Sequence, residues 1–262
     1  MNIWDAVVLE PMLNILLFLY QLLFNNFTLS ILVFTVLIRA LTFPLTSQQQ
    51  KATKKLTELQ QSESWKKTQE KYAKDKEKLA QEQMKLYQEA GVNPLGSCLP
   101  TLIQFPILIG LYRAISSVMA ASPLQLFDLS QHIYSFMPNV SRLIPLDNHF
   151  LWLNLGLPDP YLVLPVLVAV TTWLQSKVMT PPTASADPQA AQMTQTMAIT
   201  MPLMFGWISL QFPAGLSIYF IIANVVGVVQ YALTTPIDWR NILNFQLGPA
   251  PVPAKSGGKK KK

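Results

Sequence analysis

The sequence predicts an all-α, polytopic membrane protein: five transmembrane helices around a hydrophilic groove, with an N-terminal interfacial helix and a cytoplasmic helical hairpin. Three observations predict it. Half of the 262 residues are hydrophobic and only 13% are charged, where a soluble domain of this length carries about twice that charge fraction along its whole length. The apolar residues fall into blocks that reach the roughly 17 to 25 residues a spanning helix needs. The charge is concentrated in two places, residues 47–93 and the tail "KSGGKKKK" at 255–262.

Residues 1–26 are the hardest to place. Glu10 and Pro11 cut the apolar block at 6–24 to a short uninterrupted run, a length more typical of interfacial than of spanning segments. Glu10, Asn14, Gln21 and Asn25 fall near one helical face, while Leu9, Leu13, Leu16, Tyr20 and Leu23 cluster elsewhere. That suits an amphipathic helix on the outer membrane surface, and a sixth span is the alternative. A cleaved signal peptide is not expected, because no positive leader or small-residue cleavage site is present.

Residues 27–46 form the first expected span, and it contains an arginine. A cation at mid-membrane costs about 2.5 to 3.5 kcal/mol on insertion scales, so it normally faces protein or water. Thr35, Arg39, Thr42 and Thr46 follow an i, i+4, i+7, i+11 spacing that lines one helical face with polar groups. Pro44 adds to this by depriving the Ala40 carbonyl of its helical donor. None of the five spans contains an acidic partner. Arg39 is therefore either a water-exposed functional cation or a side chain snorkelling from about 10 Å inside the inner helix end.

Residues 47–93 hold ten of the twenty Lys and Arg, Lys51 through Lys85. The segment lacks glycine before Gly91 and reads as a solvated helical hairpin, with "KYAKDK" at 71–76 as its bend and Asp75 capping the second helix. A charged spacer is the plainer alternative.

Residues 94–234 contain the spans at 95–119, 161–179, 194–211 and 213–234, with an outer loop at 120–160 and an inner loop at 180–193. "FPAG" at 212–215 allows only a tight turn, so the last two are antiparallel neighbours. Polar positions recur inside them: Ser97, Thr101 and Gln104 in the second span, Thr171, Thr172 and Gln175 in the third, Ser217, Asn224 and Tyr231 in the fifth. Each alone is an ordinary interhelical hydrogen bond; their recurrence in four of five spans favours a shared hydrophilic groove. Met193, Met197, Met201 and Met204 stripe the fourth span, as packing or as an adaptable apolar surface. Residues 235–262 are a basic tail. Lys and Arg in short loops stay inside, which puts 47–93 and the C-terminus in the cytoplasm and the N-terminus outside. The location is then the cell (cytoplasmic) membrane, multi-pass.

Several functions are disfavoured. One cysteine, Cys98, permits no disulfide framework, and two histidines with one cysteine leave little for zinc. His132 and His149 stand beside Asp128 and Asp147 in the outer loop, and no metal site is expected there. The spans carry no paired nucleophile and base, so an enzyme is not expected; no cofactor is expected either. A Gly-rich phosphate loop and internal repeats are not evident.

Four stretches together resemble a known family. "VFTVLIRALTFPLT", "LYQEAGVNPLGSCLPTLIQFPILIGLY", "DPYLVLPVL" followed by "WLQSK", and "FPAGLSIYFIIANVVGVVQ" occur in the order seen in the YidC-type membrane protein insertases, whose relatives include mitochondrial oxidase-assembly factors and the chloroplast Albino insertases. The likeness covers nearly the whole chain and is to the shorter bacterial members, without a large outer domain before the core; plastid residence is not expected.

The resemblance implies a five-helix core with a groove open to cytoplasm and lipid and closed outside. Arg39 matches the family's groove arginine and Gln175 its groove glutamine. The expected substrate-binding groove comprises Arg39, Thr35, Thr42, Gln104, Gln175 and Asn224. Partners implied are nascent membrane proteins, the lipid bilayer and, for the hairpin and Lys-rich tail, the ribosome; the Sec translocon and the signal recognition pathway are optional partners, and DNA is not one. Gln211 stands where some members carry a tryptophan, and the outer loop at 120–148 is longer than in the compact members. The function implied is insertion and folding of nascent membrane proteins, alone or with Sec. A small-solute channel or transporter, or a pure assembly chaperone, are the rival readings.

Overall fold

The computed structural model describes residues 3–72, 75–91, 99–119, 127, 129–134, 146–179 and 188–235. The first helix, α1 (Glu10–Leu22), follows directly on a single π-helical turn, Asp5–Leu9. Pro11 stands in the first turn of α1, where a missing N–H is no loss, so it does not break the helix. By length and composition, Asp5–Leu22 is long and apolar enough to cross a membrane, as are Phe27–Gln61 and Ala214–Thr234. Its polar face differs from the amphipathic reading in one residue: Asn14 is only 2% exposed. Its amide donates to the His132 carbonyl (2.9 Å) and accepts from Tyr134 N (2.9 Å), tying α1 to the 129–134 segment.

The second helix, α2 (Phe27–Gln61), runs 35 residues without interruption through Pro44. Asn26 starts it, its side chain accepting from Leu29 N. The first span and the first arm of the helical hairpin are thus one rod, about 52 Å long at 1.5 Å per residue. Ser62 ends it and caps α3 (Glu63–Lys71). Asp75 N donates to Tyr72 O at 3.0 Å, and Asp75 Oδ1 accepts from Lys78 N to begin α4 (Lys76–Glu89). Trp65, buried, meets Tyr87 across the hairpin at 5.2 Å between ring centroids.

The remaining expected spans overlap α5 (Leu99–Val118), α6 (Val163–Met179), α7 (Pro188–Ser209) and α8 (Ala214–Thr234), with α7 beginning six residues earlier than expected, inside the inner loop read at 180–193. A two-residue β-hairpin, β1 (His149–Phe150) with β2 (Leu153–Asn154), precedes α6. Helix α6 packs on α7 and α8, α8 on α2, and α1 on α2 and α5. Of the methionine stripe, Met201 and Met204 are exposed on α7; Met193, Met197, Ser97, Thr101, Cys98, Asp128 and the 236–262 tail lie outside the described side chains.

The core is not centred on the long axis. Phe27, Ile31 and Phe34 of α2 pack with Leu13, Leu16 and Leu17 of α1, Leu111 and Ile115 of α5, and Leu216 and Tyr219 of α8. All these α2 residues lie in its first third. After Thr35, no α2 residue is buried until Gln49. Helix α2 is therefore close-packed at the end distant from the helical hairpin and loses its buried apolar contacts towards it. At the packed end, the backbone at 155–157 crosses the α7–α8 turn: Ala214 N donates to Leu157 O (2.8 Å) and Gly215 N to Leu155 O (3.0 Å). A Cβ on Gly215 would meet Leu155 O at 3.2 Å and Ile31 Cδ1 at 3.3 Å, so glycine permits that close approach.

Candidate functional site

Where α2 leaves the core, a cavity of about 80 Å³ opens, lined by Thr35, Ile38, Arg39, Thr42, Leu45, Thr46 and Gln49 of α2, Gln104 and Ile107 of α5, and Tyr219 of α8. It has room for on the order of five waters. Four of the six expected groove residues, Thr35, Arg39, Thr42 and Gln104, share it. Tyr219 forms its floor, accepting from Gln104 Nε2 at 2.7 Å and belonging to the packed core above.

The threonines have a specific polarity. Thr35 Oγ1 donates to Ile31 O (2.6 Å), Thr42 Oγ1 to Ile38 O (2.8 Å) and Thr46 Oγ1 to Thr42 O (2.9 Å). Each hydroxyl proton is used on its own helix, which leaves oxygen lone pairs for the cavity. The wall thus offers acceptors, which suit the five N–H donors of a guanidinium. Arg39 is half-buried, and among the described residues it forms no ion pair; the only pairs there are Lys67–Glu63, Lys78–Asp75, Lys85–Glu82, Arg113–Asp5 and His149–Asp147. Its backbone is fixed instead. Gln230 Nε2 of α8 donates to Arg39 O at 2.8 Å, one residue before the Ala40 carbonyl that Pro44 frees, and Thr234 Oγ1 donates to Gln50 Oε1 at 2.8 Å.

The other two expected groove residues lie elsewhere. Asn224 Nδ2 donates to Thr171 Oγ1 (3.1 Å) and Thr172 Oγ1 (2.9 Å), clamping α8 to α6. Gln175 covers Gly227, where a Cβ would lie 2.6 Å from Gln175 Nε2. Neither lines the Arg39 cavity. Ser217 is likewise an interhelical tie, its Oγ 2.7 Å from that of Ser209. Gln49 and Tyr219 are the residues that sequence reasoning missed. Gln49 extends the Thr35, Arg39, Thr42, Thr46 series by one more step, a signal that was available. Tyr219 lies well off the face shared by Ser217 and Asn224, and only the tertiary packing reveals it.

Among the described residues there is no group of three His, Cys, Asp or Glu that could hold a metal ion. What the arrangement offers is one cation, a polar wall and, among the described residues, no fixed counter-ion. It is a binding geometry for negatively charged or strongly polar groups, with nothing in it that requires covalent chemistry.

Comparison with known proteins agrees with the motifs. The family model described as 60Kd inner membrane protein matches residues 18–238. The membrane protein insertase MisCA of Bacillus subtilis is 35% identical over 262 residues, covering 99% of this chain and 87% of the relative. The membrane protein insertase YidC 2 of Bacillus anthracis is 35% identical over 234 residues, covering 88% of this chain and 81% of its own. Among solved structures, an active YidC insertase crystal structure with the first transmembrane domain resolved superposes with a TM-score of 0.58 at 23% identity, over 87% of this chain and 46% of that one. That likeness concerns the fold. With its four motifs, its helical architecture and a match over most of its length, the chain belongs to the 60Kd inner membrane protein family, that of the YidC-type insertases.

Proposed function

We propose that this chain is a membrane protein insertase that accepts the polar, acid-bearing part of a nascent segment in the Arg39 cavity while the apolar part leaves sideways into lipid. The single observation that carries the reading is Arg39: a cation on an apolar helix, in a cavity whose wall supplies acceptors and whose described surroundings supply no carboxylate. A carboxylate about 4 Å from it gains roughly 4 kcal/mol at an effective dielectric constant near 20. Placing an Asp at mid-membrane costs about 2.5 to 3.5 kcal/mol. The two nearly cancel, so a transient acidic visitor is tolerated without being trapped.

In this reading α2, α5, α6, α7 and α8 cross the bilayer, α1 lies along the outer surface, and the helical hairpin and C-terminus are cytoplasmic. The cavity is then open towards the cytoplasm and closed outside by the core at Phe34, Leu216 and Tyr219. Gln175 and Asn224 act in a groove wider than the cavity itself, between α6 and α8. The driving force is the transfer of the substrate's own apolar surface into lipid, and the chaperone role is the holding of that segment before release. Ribosome contact through the hairpin lysines, and cooperation with Sec or the signal recognition pathway, rest on charge alone. The test is insertion of a single-span substrate with an acidic translocated tail into vesicles containing the purified chain. Insertion that needs the chain and depends on Arg39 supports the proposal; solute flux without any nascent chain would favour a transporter instead.

A further inference from the structure

At the end of the molecule far from the helical hairpin, one stretch of surface lacks charge. From Phe150 to Val163 the only carboxylate or basic side chain is Asp159, and it is buried. The exposed residues of this stretch are Leu151 (75%), Trp152, Leu157, Tyr161, Leu162 and Val163, with Pro158 and Pro160 exposed between them. Along the chain, charge resumes at Asp147 before this stretch and at Lys177 after it.

The backbone of this segment is specified in detail. Leu151 and Trp152 are the two loop residues of the β1–β2 hairpin, where glycine or asparagine is the usual first residue because its φ is positive. Leu151 has φ 55° and Leu162 has φ 61°, conformations that bulky side chains rarely adopt. Trp152 Nε1 donates to Asp159 Oδ1 (3.2 Å), and the same carboxylate accepts from Tyr161 N (3.1 Å) and Leu164 N (2.7 Å). One buried acid thus starts α6 and holds the indole in place. At the same end, Phe24, in the turn from α1 to α2, also has a positive φ (56°) and is 93% exposed.

We propose that residues 150–163, with Phe24 at the same end, form a rigid apolar ledge that sits in the headgroup and acyl boundary of the leaflet distant from the helical hairpin. The occupant is lipid for three reasons. The ledge is continuous with the exposed apolar face of α6, Val163, Val166, Leu167 and Val170, the face that a spanning helix turns to hydrocarbon. Tyr161 presents an apolar ring and a polar tip, the chemistry of the membrane interface, and Trp152, its N–H satisfied by Asp159, adds an apolar ring. A water-facing turn would not place a leucine where glycine fits better. The proposal rests on α6 crossing the bilayer, and it assigns to this part of the outer loop the setting of the molecule's depth.

The test uses the full chain with Cys98→Ser, carrying one nitroxide at Leu151→Cys, Leu157→Cys, Val166→Cys or Lys55→Cys, in vesicles of phosphatidylethanolamine and phosphatidylglycerol. Collision rates with oxygen and with a neutral nickel chelate give the depth of each label. The expected result is an oxygen-to-nickel ratio at Leu151 and Leu157 several-fold above that at Lys55 and below that at Val166. Nickel access at the level of Lys55 would overturn the ledge, and shielding from both reagents would replace lipid by a protein partner and overturn it too. A watery Val166 would remove the spanning reading of α6 and the ledge with it, whereas a lipid-facing Val166 beside a watery Leu151 removes the ledge alone.

Discussion

Replacing Arg39 by Ala separates function from stability. The side chain is half-buried and has no ion-pair partner among the described residues, so its desolvation is not offset by a carboxylate, and its removal relieves a cost of the kind that reaches a few kcal/mol. The fold should therefore be unchanged or slightly more stable. Insertion should respond in the opposite sense. At about 6 Å and an effective dielectric constant near 20, the attraction for one substrate carboxylate is about 2.8 kcal/mol, on the order of a hundredfold in an equilibrium constant. A rate that reflects part of this should fall by about tenfold for a substrate with one acidic residue in its translocated tail, and hardly at all for a neutral tail. Arg39→Lys keeps the charge and should retain most of the activity, while losing the forked donors that suit the acceptors of the cavity wall. The assay is insertion into vesicles with paired acidic and neutral tails, alongside thermal unfolding in detergent. Equal loss for both tails, or a marked drop in melting temperature for Arg39→Ala, would refute the electrostatic account and make Arg39 structural.

Other perturbations test the frame around the cavity. Asp159→Ala should destabilise by about 1 to 3 kcal/mol, because it strips a helix cap and leaves buried N–H groups unpaired; thermal unfolding reads this. Burial works to raise the Asp159 carboxyl, but the hydrogen bonds from Leu164, Tyr161, Trp152 and Val163 prevail and hold it below the usual carboxylate range. Its folded value is thus depressed, so its stabilisation is complete above the ordinary carboxylate pKa and is lost only as pH falls through the lower folded value; melting temperature should show no Asp159-dependent change between about pH 5 and 8. Gly206→Leu should separate α6 from α7, since even a Cβ would lie 2.9 Å from Ala169 Cβ and 3.2 Å from Pro165 O, and overpacking of this kind costs about 1 to 3 kcal/mol, read as a lower melting temperature. Gln230→Leu should loosen α8 from α2 by removing the bond to Arg39 O, seen as faster amide exchange around Arg39 with little change in global unfolding.

Much of the fold was legible because bilayer thickness and backbone satisfaction leave few options. The blocks at 27–46, 161–179, 194–211 and 213–234 each overlap a helix, two of which run well beyond the block, and Asp75 marked its cap by residue type alone. The site was legible in part. A polar stripe is a property of one helix, so Thr35, Arg39 and Thr42 could be read from α2 without a partner. Asn224 and Gln175 could not be placed that way. Whether an amide on a span faces a cavity or clamps a neighbour depends on the other helix, and here Thr171, Thr172 and Gly227 decide it. Asn14 shows the same limit, since the residues that bond it, His132 and Tyr134, are far along the chain.

The uninterrupted course of α2 links the two ends of the mechanism. Pro44 removes one backbone bond but α2 stays a single helix from Phe27 to Gln61, so the arm that carries Lys51, Lys54 and Lys55 and the segment that carries Arg39 move as one body. Two side-chain bonds, Gln230 to the Arg39 carbonyl and Thr234 to Gln50, hold that body to α8 on the hairpin side, while the hydrophobic core holds it at the other end. A load on the helical hairpin would therefore act on a lever pinned by the core at Ile31 and Phe34, and the first contacts to yield are the two polar ones, each worth about 1 kcal/mol, not the packed ones. The cavity would widen on the hairpin side and stay shut on the far side. A disulfide between Gln50→Cys and Thr234→Cys should then reduce insertion while leaving the melting temperature equal or higher, and full insertion by the crosslinked protein would show that α2 and α8 need not part.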